Sequence, residues 1–335
     1  KPRLCNISTF THLADIREIC YIYVTNKLCR SMARIKSTNV LSFFKEQITL
    51  LESSNKLGTA RNYRRTLSSF SLFLEGRDIP FRLLDEPLVI RYESWLRSRG
   101  VLRNSSSFYM RVLRSVYNKA VTKRLVKQTF PFQNVYTGVD KTRKRAIDEQ
   151  HILDLCKLSL PALSPLALAR DLFLFSYCTR GMAFVDMAFL CKKNIHNGYI
   201  CYTRKKTGQQ LVIRVEPLIQ KIISRYAGQT KRSQYLLPII SSEDPVIAFS
   251  QYQTALGYYN KLLKRISKIL DLDISLSSYT ARHSWATAAR NHNVPISVIS
   301  AGMGHTTEKT TQIYLASLES SVIDQANQSI LSALV

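Results

Sequence analysis

The chain has 335 residues, 45% of them hydrophobic, and carries a formal net charge of +25 at pH 7. That length supports two domains with sizeable cores, the hydrophobic share excludes a disordered chain, and so much like charge opposes compaction unless a polyanion neutralises it. Nucleic acid is therefore the expected partner, and a membrane is not: no apolar run approaches the roughly 20 residues that span a bilayer, nothing at the start reads as a signal peptide, and the cations are not gathered into one membrane-binding run.

Residues 1–35 hold six Lys/Arg against two acids with no clean period, and read as a basic N-terminal segment. From about residue 36 the pattern is helical. Ser37 or Thr38 is placed to cap a helix through Val40, Leu41, Phe44, Ile48 and Leu51. A second helix is expected after Gly58, with Thr59 as cap, Tyr63, Leu67, Phe70 and Leu74 inward and Gly76 as its end. A third runs from Leu88 to Arg97 around Trp95, and a fourth from Asn104 or Ser105 through Met110, Leu113, Tyr117 and Ala120. Together they make a small helical domain over 36–130. Arg61, Arg64 and Arg65 on the second helix, and Arg111 and Arg114 on the fourth, have almost no acids beside them on those helices, which favours phosphate contact over an ordinary solvated face.

Residues 131–147 read as a linker with a basic run, Lys141, Arg143, Lys144 and Arg145, able to cross a DNA backbone. Helical pattern resumes at Asp148. Leu166 to Cys178 is strongly apolar, and Arg180 to Leu190 continues it. Gly198 to Val215 alternates about a Lys-Thr-Gly turn and reads as a hairpin, and the remainder is helical. The expected fold is mainly α with a small antiparallel β-sheet, in two domains, the second spanning 148–335. The seven cysteines contain no Cys-x-x-Cys pair and read as buried thiols of a cytosolic protein.

The chemistry concentrates near the end, in Ser278-Tyr-Thr-Ala-Arg-His-Ser-Trp-Ala-Thr287, Gly302-Met-Gly-His305 and Thr310-Thr-Gln-Ile-Tyr-Leu-Ala316. Arg282 precedes His305 by 23 residues, and Tyr314 follows it by 9. These residues resemble the signature of the tyrosine recombinases, in which a His-x-x-Arg box precedes Leu-Gly-His and a nucleophilic tyrosine, with the spacing of Xer-type members. The resemblance covers roughly residues 36 to 335.

It implies a two-domain DNA clamp: a helical core-binding domain and a catalytic domain that cuts without metal or other cofactor. Tyr314 would be the nucleophile, because a phenolic ester of phosphate remains a good acceptor for a returning hydroxyl. Arg282 would neutralise charge on the scissile phosphate. A lysine of the hairpin turn would be the general acid: Lys206 matches the Lys-Thr-Gly of phage-type integrases, while an ungapped comparison with Xer proteins selects Lys205, and Arg204 and Lys205 otherwise read as DNA contacts. His305 sits where it could donate to a phosphate oxygen.

Two positions depart from the pattern. Ala183 stands where the family places its first arginine; Arg180, three residues earlier, would return to nearly the same face of a helix and reach the same phosphate, as in an integrase branch from bacterial conjugative elements. Tyr279 replaces the usual His or Lys, and can hydrogen-bond a phosphate without carrying charge. The tail from Leu315 to Val335 has no Lys or Arg and an apolar stripe, so it is expected to pack on protein; the resemblance implies cyclic exchange of this helix in a homotetramer. The expected activity is site-specific recombination, as an integrase or invertase, through a 3'-phosphotyrosyl intermediate and a Holliday junction, in a bacterial cytoplasm with the nucleoid and with a possible accessory DNA-bending protein. A type IB topoisomerase and a non-catalytic DNA-binding regulator of the same fold are the alternatives.

Overall fold

The computed structural model describes residues 39–140 and 146–312. The chain divides near Lys141 into two compact units. In the first, four helices form, α1 Val40–Ser53, α2 Leu57–Phe73, α3 Glu86–Ser98 and α4 Arg103–Thr122. Their apolar stripes meet in one core containing Phe44, Phe70, Tyr92, Leu113 and Val116. Phe70 lies edge-on to Tyr92 at 5.0 Å, and Phe43 edge-on to Phe81 at 5.4 Å.

The helix starts differ from the sequence expectation in an instructive way. Asn39, not Ser37 or Thr38, stands at the cap of α1, and its side chain makes no capping bond. The first-turn N–H groups of Leu41 and Ser42 instead donate to the Asp78 carboxylate at 2.7 and 3.1 Å, from a loop 37 residues away in sequence. An anion there also meets the positive end of the helix. α2 begins at Leu57, so Gly58 and Thr59 lie inside its first turn rather than before it. It ends as expected near Gly76, whose φ of +78° lets its N–H turn back to the Ser71 carbonyl at 2.8 Å. Phe132 and Val135, beyond α4, are buried in the same core. Lys141, Arg143, Lys144 and Arg145 lie outside the described residues.

The second unit holds α5 Glu149–Lys157, α6 Pro165–Cys178, α7 Phe184–Ala188, strands β1 Ile195–His196, β2 Tyr199–Thr203 and β3 Gln210–Arg214, then α8 Pro217–Tyr226, α9 Pro245–Ile269, α10 Thr280–Asn291, α11 Ile296–Met303 and α12 Glu308–Gln312. The sheet is antiparallel in the order β1-β2-β3, and the hairpin pairs Ile200 with Ile213 and Tyr202 with Leu211. β1 is an addition to the expected hairpin. α6 is the central helix: Phe173 and Phe175 are fully buried, which explains its apolar character on every side. Its buried Asp171 accepts from Arg170 at 2.8 Å, from Tyr226 at 2.9 Å and from Arg225.

Two expectations need correction here. The apolar run does not continue as one helix past Cys178, because Arg180 and Gly181 both take left-handed backbone, with φ of +59° and +72°, and Ala183 caps α7. The described cysteines are not fully buried: Cys156 is exposed and Cys178, Cys191 and Cys201 are half-buried, all as free thiols. No helix among the described residues is long and apolar enough to cross a membrane.

Because Asp78 supplies the cap that α1 lacks locally, Asp78→Ala is expected to destabilise the helical unit by about 1 kcal/mol. Urea denaturation of the full chain, followed by far-ultraviolet circular dichroism, measures it; an unchanged midpoint would refute the capping role.

Candidate active site

The site grows from three local pieces: the left-handed turn after α6, the hairpin turn between β2 and β3, and the end of α11. Arg282, on the first turn of α10, is 3% exposed and is the centre of the assembly. Its guanidinium donates to the Gly181 carbonyl at 2.6 Å and to the Met303 carbonyl at 2.7 Å, and lies 2.8 Å from His305 Nε2. Gly181 is required by contact as well as by conformation, since a Cβ there would stand 2.7 Å from the Arg282 Cα.

The end of α11 collects a second guanidinium. Gly304 takes φ +65°, and its carbonyl accepts from Arg204 at 2.5 Å. The C-terminal carbonyls of a helix carry partial negative charge, so Met303 and Gly304 each hold an arginine. Arg204 is 4% exposed, so its guanidinium is a buried brace of this turn and not the surface DNA contact expected of it. Strand alternation accounts for this, because Ile200, Tyr202 and Arg204 all point inward. Lys205 is exposed, but its ammonium sits 4.0 Å over the Phe189 ring, and its backbone N–H donates to Asp186 at 2.9 Å. Lys206 is exposed on the same turn and makes no hydrogen bond or ion pair among the described residues.

His305 is 7% exposed. A guanidinium has donors only, so Nε2 must accept from Arg282, and the ring proton lies on Nδ1, which donates to Thr311 Oγ1 at 2.8 Å. Burial, followed by the charges of Arg282, Arg204 and Lys206, pushes the His305 pKa down to about 3, so the ring is neutral. In this arrangement Nε2 accepts, whereas the sequence suggested a donor to phosphate.

Arg180 is not on a helix, so the helical-face argument for it fails. The turn nevertheless sends its side chain toward α11: a Cβ on Gly302 would lie 3.5 Å from Arg180 Cδ and 3.3 Å from Trp285. Arg180 makes no ion pair with Asp186 or any other group among the described residues. Asp186 is buried, and burial raises its carboxyl pKa against the opposing pull of the Lys205 N–H and of Arg204 and Arg282. Tyr202, half enclosed by the same charges, is a site residue the sequence reading missed; burial pushes its phenol pKa up. Tyr279, at the start of α10, is 43% exposed. Tyr314 lies outside the described residues.

In the helical unit, Arg65 and Arg111 are exposed, whereas Arg64 is spent on Glu52, with bonds of 2.9 and 2.5 Å. That acid is on the neighbouring helix α1, where a reading of α2 alone does not look. Arg114 donates to Thr137 at 3.3 Å. A groove of about 660 Å³ is lined by Arg61, Arg65, Trp95, Arg99 and Tyr109, with the Arg99 guanidinium 5.0 Å over the Trp95 ring. Arg99 and Trp95 were not among the expected contacts.

Comparison with known proteins decides what this arrangement belongs to. Residues 39–135 match the phage integrase SAM-like domain and residues 150–321 match the phage integrase family. The chain belongs to the phage integrase family. It is thus a tyrosine recombinase, a site-specific enzyme of DNA strand breaking and rejoining. The recombinase is 22% identical over 277 residues to tyrosine recombinase XerD of Pseudomonas aeruginosa, covering 79% of this chain and 88% of the relative. Its fold is similar to a lambda integrase dimer bound to a COC' core site, at a TM-score of 0.61 and 14% identity over 82% of this chain and 95% of that one. It is also similar to a lambda integrase tetramer bound to a Holliday junction, at a TM-score of 0.57 and 12% identity over 93% and 89%.

The depressed His305 pKa has a consequence for stability. An unfolded histidine binds a proton below about pH 6.5, whereas the folded one stays neutral to about pH 3, so the unfolded state takes up more protons in that window and stability falls as pH drops through it. His305→Gln keeps an acceptor for Arg282 and removes the titration. Its chemical-denaturation stability is expected to fall less steeply than the wild type's between pH 6.5 and 3; parallel curves would refute the buried neutral ring.

Proposed function

We propose that the recombinase cleaves through Tyr314 and that Arg282, Arg180, Lys206, His305 and Tyr279 serve the same phosphate. The Tyr314 hydroxyl attacks the scissile phosphorus, the bond to the 5' oxygen breaks, and a 3'-phosphotyrosyl link remains. Lys206, exposed and unpaired among the described residues, gives its proton to the departing 5' oxygen. The 5' hydroxyl of a partner strand then attacks the phosphotyrosine, releases the phenol and restores the phosphodiester. Arg282 and Arg180 offset the charge growing on the non-bridging oxygens. His305 holds Arg282 rather than moving a proton itself, and Tyr279 adds a hydrogen bond at the rim.

The observation that carries this reading is the convergence of Arg204, Lys206 and Arg282 on one neutral histidine, with Arg180 beside Gly302 on the helix that leads to it, a cluster of cations that a phosphate anion would complete. Lys206 rather than Lys205 is favoured because the Lys205 ammonium is packed on Phe189. Arg61, Arg65, Arg99 and Arg111 are exposed or groove-lining cations suited to the DNA backbone, with Lys141, Arg143, Lys144 and Arg145 following in sequence. The substrate is double-stranded DNA carrying defined recombination sites, either the ends of a mobile element or inverted repeats. The lambda integrase tetramer supports assembly of four protomers on a junction, joined through residues 318–335, which lie outside the described residues. A DNA-bending protein and a nucleoid setting belong to the same reading.

A nicked suicide duplex covering the host element's junction, incubated with chelator and no metal, should trap a covalent adduct on a denaturing gel. Tyr314→Phe is expected to abolish it, and Arg180→Ala or Lys206→Ala to slow it by about 10²-fold or more, the range for losing one oxyanion donor or a general acid. Adduct formation by Tyr314→Phe at the wild-type rate would overturn the assignment. Removing residues 318–335 should leave DNA binding intact and abolish recombination in a two-site assay; normal recombination by the truncated chain would exclude the tail from assembly.

A further inference from the structure

The residues that follow α4 do more than connect. Phe132 and Val135 are buried in the helical core, and the chain beyond them is strapped to α3 and α4. The Tyr136 N–H donates to Glu93 at 3.1 Å, and the Gly138 carbonyl accepts from Ser107 at 2.5 Å. At Asp140 the Asn104 amide exchanges two hydrogen bonds with the backbone, accepting from the N–H at 2.8 Å and donating to the carbonyl at 3.1 Å, as one strand residue does with another. Each of these backbone groups lies outside any helix or strand and is met by a side chain of α3 or α4. The Tyr136 hydroxyl also donates to the Asp140 carboxylate at 2.6 Å, and Arg103, 3.6 Å from that carboxylate, lies 3.9 Å over the Tyr136 ring.

The chain is caught again at Ile147, which is buried in the core of the second unit and donates its N–H to the Ser284 hydroxyl at 2.9 Å. Ser284 is buried on α10, two residues beyond Arg282. Each hold lies within its own unit, and six residues, Lys141 to Ala146, stand between them in sequence. Asp140 and Ile147 are seven peptide steps apart, which limits their separation to about 25 Å. Freed back to Val135, the connection would have twelve steps and a limit of about 43 Å. The difference of about 18 Å corresponds to about five base pairs of duplex.

We propose that Asn104, Tyr136 and Arg103 are specificity-determining residues: by holding Asp140 they shorten the connection and so fix the spacing at which both units engage one DNA site. A short connection gives the second unit a high effective concentration at the correct distance and almost none beyond its reach, whereas a long one tolerates both. The spacing role rests on the reading that the two units contact the same recombination site. The hold on Asp140 stands on the geometry alone.

Asn104→Ala combined with Tyr136→Phe removes the hold without touching the helical core. A Gly/Ser insertion between Arg143 and Lys144, equal in length to residues 136–140, lengthens the connection with the strap intact. Amide hydrogen exchange in the full, DNA-free chain should show a protected Asp140 N–H in wild type and in the insertion, and exchange about 10-fold faster or more in the double variant. Affinity is then read by gel shift on the host element's junction and on duplexes lengthened by a few base pairs between the two protected stretches of its hydroxyl-radical footprint. Wild type should lose about 10-fold or more on the lengthened duplexes, and both altered proteins less than about 3-fold. An unprotected Asp140 N–H in wild type would overturn the strap. Equal losses in wild type and the double variant would overturn the spacing role, even if the insertion relaxes it. A footprint with a single protected stretch would overturn the shared-site reading and the spacing role with it, while the exchange rates would still decide the hold on Asp140.

Discussion

A guanidinium 3% exposed is costly unless every donor it can present is met, and Arg282 sets the terms for everything around it. Its terminal nitrogens meet two backbone carbonyls and one imidazole lone pair. These contacts anchor the terminal nitrogens through dipoles, while the buried Asp186 is a nearby carboxylate on which the charges of Arg204 and Arg282 act. The carbonyls have to come from places where the chain can bring them close, and that explains the left-handed Gly181 and the abrupt end of α11 at Gly304.

The same constraint governs the titratable groups nearby. Burial and three neighbouring cations keep His305 neutral, so it can act as an acceptor and does not add a further charge to an already cationic cluster. Arg204 shares the task of holding the α11 terminus, which leaves the hairpin turn with one exposed lysine, Lys206, that has no partner among the described residues, while Lys205 gives its backbone N–H to Asp186 and packs its ammonium on Phe189. Three consecutive cations in the sequence thereby acquire three different roles: buried brace, packed support and free ammonium.

In the helical unit a similar sorting separates cations that are available from those that are not. Arg64 is neutralised by Glu52 on the adjacent helix, while Arg65 one residue later is exposed, and Arg99 stacks near Trp95 beside them. A surface ion pair of this kind adds little stability. Its effect is on the charge pattern, which shifts from α2 alone toward the groove between α2 and α3.

The sequence by itself determined the helices and their inward faces, because apolar spacing of three and four residues is a property of neighbours along the chain: Tyr63, Phe70, Met110, Leu113 and Tyr117 are where the period puts them. It determined the hairpin by alternation, and the family by the spacing of Arg282, His305 and Tyr314. Inward alternation at Ile200, Tyr202 and Arg204 was also readable, and would have placed Arg204 in the interior. Only the tertiary structure decided that Asp78 caps α1, that Glu52 silences Arg64, and that Arg180 reaches α11 from a left-handed turn instead of a helix face. It alone decided that His305 accepts from Arg282 and donates to Thr311. The reason is physical: each of these depends on a hydrogen bond, charge or steric contact with a group on another segment, as far as 101 residues away even for the Arg282 bond to Gly181 and farther for Arg180 beside Gly302, and no local pattern encodes such a distance.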